Sequence, residues 1–187
     1  MNNVNAHLAI GATVLAALFT TAPEAIAEER VCRGTIGAVA LDNIRVPDGR
    51  RCVLNGTQAN GSVVFGGGST LVANSVSING NLQAEGSLSV QLRGLSTVGG
   101  SVQIVQGGAA RIEYASINGD LLFDSNGGFV QAVGNSIGGN LQAFQNTGGV
   151  RIAKNVIDGN LQCKANKPAP TGGGNQASSK EDQCAKL

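Results

Sequence analysis

The chain has 187 residues, which fits one domain, and its 13 Lys and Arg against 12 Asp and Glu give a net charge of +1. This small net charge gives no indication of nucleic acid or an anionic membrane as a partner. Aromatic residues make up 3% of the chain and include no Trp, so base-stacking platforms and aromatic sugar-binding shelves are mostly absent.

Residues 1–27 are predicted to be a secretory signal peptide. The apolar run from Leu8 to Phe19 is too short to span a bilayer, and Ala25-Ile26-Ala27 forms a small-x-small cleavage site. No Lys or Arg precedes the run, so an uncleaved amphipathic anchor is the alternative. Cleavage would remove His7, the one histidine, and would place the mature protein in a secreted or periplasmic location without a membrane span.

Residues 28–60 are predicted to form an N-terminal cap and a first coil. Apolar residues alternate from Ile36 to Val46 as they do in a strand, and Pro47-Asp48-Gly49 marks a turn.

Residues 61–163 contain a repeat that organises the rest of the chain. Its best copies are Ser77–Gln83 (SINGNLQ), Ser116–Leu122 (SINGDLL), Ser136–Gln142 (SIGGNLQ) and Val156–Gln162 (VIDGNLQ). The glycines that anchor the copies are 19 or 20 residues apart: Gly61, Gly80, Gly100, Gly119, Gly139 and Gly159. A fixed period of this length predicts a solenoid in which each repeat is one coil.

Alignment on these glycines predicts inward and outward columns. Apolar residues recur at i and i+2 with polar residues between them, which is strand periodicity. One inward column is Val63, Leu82, Val102, Leu121, Leu141 and Leu161. The outward column beside it contains Gln83, Gln103, Gln142 and Gln162, and a second outward row contains Ser77, Thr97, Ser116 and Ser136. Same-sense stacking of like residues predicts a coil that returns to the same place one layer up. The mature chain has room for about six to seven such coils, a prism roughly 30 Å tall.

The corners of the coil carry Asn-Gly, Gly-Gly or Asp-Gly pairs, for which we predict positive φ. Asn135, Asn155 and Asn175 are spaced by 20 residues and fit a stacked asparagine ladder, although a turn alone would also explain them.

Residues 164–187 are predicted to form a C-terminal capping tail, because Pro and Gly interrupt the repeat and a polar, charged segment follows. A disordered tail is the alternative. A disulfide from Cys184 to Cys163, in the last regular coil, would hold the cap in place.

Four cysteines in a secreted chain predict two disulfides, with three possible pairings. Cys32 and Cys52 are 20 residues apart and Cys163 and Cys184 are 21 apart, about one repeat in each case. Partners one coil apart would lie within the Cα separation that a disulfide tolerates. Zinc binding by the four thiolates is the alternative, but paired Cys-x-x-Cys motifs are lacking.

The columned repeat over about residues 36–163 resembles the right-handed parallel β-helix of the pectin-lyase-like class, closest to small secreted bacterial members. It is also similar to bactofilins, whose β-helices polymerise end to end. The resemblance implies an all-β, single-stranded, right-handed parallel β-helix with about 20 residues per coil.

Catalytic members of that class use clustered carboxylates, Arg or Lys bases and often Ca²⁺. The candidates here are Asp120 and Asp124, which flank one predicted strand, with Arg111 in an outward column. Solvated turn aspartates and solvent-facing arginines on a strand are the ordinary explanation. No cofactor or metal is predicted, since the Asp column that a Ca²⁺-binding array needs is filled by Ser, Asn and one Asp.

Three functional hypotheses follow. The first is a non-catalytic scaffold with a structural or surface-binding role, in which the Gln and Ser rows contact an extracellular polysaccharide or cell-wall component. The second is an atypical lyase or hydrolase that acts on an acidic glycan. The third is end-to-end self-association, against which the capping tail argues.

Overall fold

A computed structural model describes residues 28–187, so the predicted signal peptide lies outside the described residues. Within that range the protein is an all-β parallel solenoid that contains strands and no helix. The predicted fold class is therefore confirmed as a parallel β-solenoid.

The first four coils contain β1 (Glu29–Val31), β2 (Thr35–Ile36), β3 (Ala40–Leu41), β4 (Asn43–Val46), β5 (Arg51–Asn55), β6 (Gln58–Ala59), β7 (Val63–Phe65), β8 (Thr70–Asn74), β9 (Ser77–Ile78), β10 (Leu82–Glu85), β11 (Ser89–Arg93) and β12 (Thr97–Val98). The remaining strands are β13 (Val102–Val105), β14 (Ala109–Glu113), β15 (Ser116–Ile117), β16 (Leu121–Asp124), β17 (Val130–Val133), β18 (Ser136–Ile137), β19 (Leu141–Phe144), β20 (Val150–Ala153), β21 (Val156–Ile157), β22 (Asn160–Lys164), β23 (Thr171–Gly173) and β24 (Ser179–Asp182).

Up to β23 every third strand joins the same sheet, and β24 then pairs with β22, so the solenoid has three faces. Sheet 1 runs β1-β4-β7-β10-β13-β16-β19-β22-β24, sheet 2 runs β2-β5-β8-β11-β14-β17-β20-β23, and sheet 3 runs from β3 to β21 through β6, β9, β12, β15 and β18. Neighbouring strands in each sheet are parallel.

The inward columns form the core, as the repeat predicts. Leu121 pairs in register with Val102 and Leu141, and Leu141 pairs with Leu161. These side chains are fully buried, and they belong to one continuous apolar cluster that runs the length of the solenoid. A single coil cannot shield this face from water, so the coils stabilise one another by stacking.

The repeat glycines occupy a corner at which the backbone of the preceding coil leaves no room for a side chain. The prediction of positive φ at these corners is wrong. Gly80, Gly119 and Gly159 do not have positive φ. A Cβ on Gly119 would lie 2.4 Å from Oγ of Ser101 and 2.9 Å from the carbonyl group of Gly100 in the preceding coil. The backbones of successive coils therefore approach too closely for a side chain at this corner.

Positive φ occurs at the other two corners, where the chain enters a column of buried polar side chains. Examples are Tyr114, Gly134 and Lys154 at one corner and Ser125, Gln145 and Ala165 at the other. Each left-handed residue directs the next residue into the core.

Two asparagine ladders follow these left-handed residues. In the predicted one, Asn135 Nδ2 donates to Asn155 Oδ1 and Asn155 Nδ2 donates to Asn175 Oδ1, each at 2.9 Å. The second ladder, which the sequence reasoning missed, consists of Asn126, Asn146 and Asn166 and ends on Gln183. Both ladders satisfy buried backbone groups that the turns leave open.

The terminal segments also coil, so residues 28–187 form eight coils where six to seven were expected. The stretch 28–60 contains β1 to β6, which is two coils. The tail 164–187 contains β23, pairs Gln176 with Val156, and places β24 on β22. The tail thus extends the solenoid while covering its end.

The two predicted disulfides are present, one near each end. The Cα atoms of Cys32 and Cys52 are 5.6 Å apart, and those of Cys163 and Cys184 are 5.3 Å apart. All four cysteines are buried. Such bonds indicate that the protein folds in an oxidising environment.

Candidate functional site

The outer face of sheet 1 carries the glutamine row predicted from the repeat. The pairing register places its members in one file, which reads Arg45, Val64, Gln83, Gln103, Leu122, Gln142, Gln162 and Glu181. The four predicted glutamines therefore share one face, with Leu122 between the two pairs.

The two halves of this row differ in their hydrogen bonding. Gln142 Nε2 donates to Gln162 Oε1 at 2.8 Å, and Gln162 Nε2 donates to Glu181 Oε2 at 2.9 Å. A hydrogen bond from the Ser179 hydroxyl, followed in size by the one from Gln162, lowers the pKa of the Glu181 carboxyl. This half is occupied by its own contacts and offers few free groups to a ligand.

The other half, Gln83 and Gln103, lines a concavity of about 850 Å³ in the outer face of sheet 1. Among residues 28–187 these two side chains form no hydrogen bond with another residue. Both amides are exposed and lie on adjacent strands at about the 4.8 Å spacing of a sheet. Their donors and acceptors are therefore available to a ligand.

A glycine lines the concavity at a position where the next coil has a side chain. Phe65 pairs with Ala84, so Gly66 occupies the position that Glu85 fills in the next coil. A Cβ on Gly66 would lie on top of the Asp48 carboxylate, which bends over this glycine. The walls carry the carboxylates of Asp48 and Glu85, and the exposed Val64 contributes an apolar patch.

A salt bridge closes the N-terminal side of the concavity. Arg45 Nε lies 2.6 Å from Glu29 Oε1, and both side chains are about half exposed. Such a pair contributes little to stability, but it reduces the free charge of the concavity. Amide and carboxylate groups around a partly apolar floor suit a ligand rich in hydroxyl groups.

The catalytic candidates are not gathered on one sheet. Asp120 lies at a corner, where its Oδ1 accepts hydrogen bonds from the backbone N–H of Asn140 at 2.6 Å and from its Nδ2 at 3.2 Å. Asp124 ends β16 in sheet 1 and accepts a hydrogen bond from the Ser125 hydroxyl. Arg111 lies on β14 in sheet 2, around the corner from Asp124.

The predicted hydroxyl row is the outer face of sheet 3. Ser77, Thr97, Ser116 and Ser136 pair in register, and Thr97 Oγ1 donates to Ser77 Oγ at 3.2 Å. Its strands have two residues each, so the face is narrow.

Two kinds of feature are absent from the described part of the chain. Residues 28–187 contain no cluster of three or more His, Cys, Asp or Glu side chains that could hold a metal ion. The same residues contain no helix of the length and apolar character needed to cross a membrane.

The concavity was missed by the sequence reasoning, although the sequence contains its signal. Gly66-Gly67-Gly68 interrupts the outward column that Glu85 and Val105 occupy in the next two coils. A glycine at an outward position of one coil predicts a depression only when the residues that pair with it in the neighbouring coils are known.

Comparison with known proteins gives no further guide. No family model, no curated protein and no solved structure matches this chain.

Proposed function

We propose that the protein is a secreted, non-catalytic β-solenoid that acts as a structural or surface-binding scaffold and binds an extracellular polysaccharide. The observation that supports this most directly is the concavity on sheet 1, where Gln83 and Gln103 have free amides beside the carboxylates of Asp48 and Glu85. Sugar hydroxyls both donate and accept hydrogen bonds, so they match this set of groups.

The secreted location rests on two features. The disulfides suit an oxidising compartment, and residues 1–27 have the pattern of a signal peptide. The repeat also leads us to expect a narrower class, a right-handed β-helix of the pectin-lyase-like or bactofilin-like type and of bacterial origin.

A glycan array and a cell-wall pulldown with the full chain test this proposal. We expect Gln83→Ala with Gln103→Ala to weaken binding about tenfold or more, because two ligand-facing amides are lost. The matched control is Gln142→Ala with Gln162→Ala, which alters the same row outside the concavity and should leave binding unchanged. Equal loss in both variants, or in neither, would argue against the concavity as the site.

The alternative is an atypical lyase or hydrolase that uses Asp120, Asp124 and Arg111 on an acidic glycan. The same preparation should leave acidic polysaccharides uncut. Depolymerisation that disappears in Asp120→Ala or Asp124→Ala would replace the scaffold proposal with this one.

A further inference from the structure

The charged side chains are distributed unevenly over the three sheets. The strands of sheet 2 carry four arginines, Arg51, Arg93, Arg111 and Arg151, against one acid, Glu113. The strands of sheet 1 carry four basic and five acidic residues, and those of sheet 3 carry none. A net charge of +1 for the chain therefore conceals one distinctly positive face.

The arginines of sheet 2 face outward in positions fixed by the coil register. Arg111 and Arg151 pair with Gln131 from either side, so they stand two coils apart, about 10 Å along the axis. Arg93 lies one coil before Arg111, and its Nε donates to Asn74 Oδ1 at 2.8 Å. Asn74 in turn donates to Asn55, so neutral groups orient this guanidinium.

Acidic neighbours do little to neutralise this face. Arg111 lies 3.8 Å from Glu113, which also accepts a hydrogen bond from Gln131, so this one carboxylate offsets at most one of the four arginine charges. Among residues 28–187, Arg51, Arg93 and Arg151 form no salt bridge. Unpaired arginines on a regular sheet form a strip of positive potential.

Aromatic rings border the strip at both of its corners. Tyr114, 59% exposed, lies against Gly134, whose Cβ position would be 2.7 Å from a ring carbon. Phe129, 47% exposed, lies against Gly149 in the same way, at 3.2 Å. A glycine in the following coil thus gives each ring room to lie along the surface.

We propose that the outer face of sheet 2 binds an acidic polysaccharide whose chain lies along the solenoid axis. Arginine guanidinium groups form bidentate hydrogen bonds with carboxylate or sulfate groups. The apolar faces of sugar rings pack against Tyr114 and Phe129. This surface is separate from the concavity on sheet 1, and the inference does not depend on that site.

Affinity measurements with the full chain test the inference, with chondroitin sulfate and alginate as acidic probes and dextran as the neutral one. We expect binding to both acidic probes, none to dextran, and a steep loss of affinity as salt rises. Arg111→Gln with Arg151→Gln should weaken binding about tenfold or more, because two charge-assisted contacts are lost.

Lys164→Gln is the control, since it removes one exposed positive charge from sheet 1 outside the concavity and should leave the affinity unchanged. Thermal unfolding should be unaffected in both variants, because these side chains are exposed. Equal loss in the control, no loss in the double variant, or tighter binding to duplex DNA or to anionic vesicles would overturn the inference. The Gln83 and Gln103 variants should still bind the acidic probes, which separates this test from that of the sheet 1 concavity.

Discussion

The choice of individual residues in this solenoid is governed by the coils on either side. Glycine is required at the corner before each inward Leu or Val because the neighbouring backbone fills the space of a Cβ. Buried asparagine is tolerated because its amide finds partners in two coils at once. Exposed positions such as Leu88, 64% exposed, have no such constraint on the side chain.

Gly119→Ala should destabilise the fold by about 1–3 kcal/mol, because its Cβ would collide with Gly100 and Ser101. Gly127→Ala is the matched control, since neither glycine has positive φ and a Cβ on Gly127 would lie 3.9 Å from the nearest atom. Urea unfolding with the disulfides intact measures both. If the two variants lose the same stability, crowding does not explain the glycine column.

The strands and the corners were predictable to different degrees. The columns could be read from the sequence because alternation and a period of 19 or 20 residues are local, countable signals. The corner geometry could not, because both torsional strain and close backbone contact select glycine, and the sequence does not distinguish them. The ladder of Asn126, Asn146 and Asn166 has the same 20-residue spacing as the predicted one, so this signal was present but was not used.

The buried ladders should contribute more to stability than any exposed asparagine. Asn155→Ala removes an amide that donates to Ala132 O and Asn175 Oδ1 and accepts from Asn135, so several buried groups lose partners. We expect the free energy of unfolding, measured by thermal or urea unfolding, to fall by at least about 2 kcal/mol.

Asn118→Ala serves as the control for this variant. Asn118 is exposed at a corner, so its replacement should change stability by less than about 0.5 kcal/mol. An Asn155→Ala protein as stable as the control would show that the ladder is dispensable.

The ends of the molecule illustrate why the number of coils was underestimated. The repeat motif fades before residue 61 and after residue 163, yet both segments pair with the regular coils. Pairing with an existing edge needs backbone hydrogen bonds more than a particular sequence, and the disulfides hold these irregular coils in place. The proposed binding faces likewise depend on register, because the arginine strip and the concavity become visible only when distant residues are aligned.

The central claim is that residues one repeat apart stand directly above one another, and distances between spin labels test it most directly. Labelled cysteines replacing Gln83 and Gln162, four coils apart, should give a separation of about 19 Å, and those replacing Arg45 and Gln162, six coils apart, about 29 Å. Distances that grow in this two-to-three ratio support the stacked solenoid. Separations that are equal for the two pairs, or several times longer as in a flat meander, would contradict it.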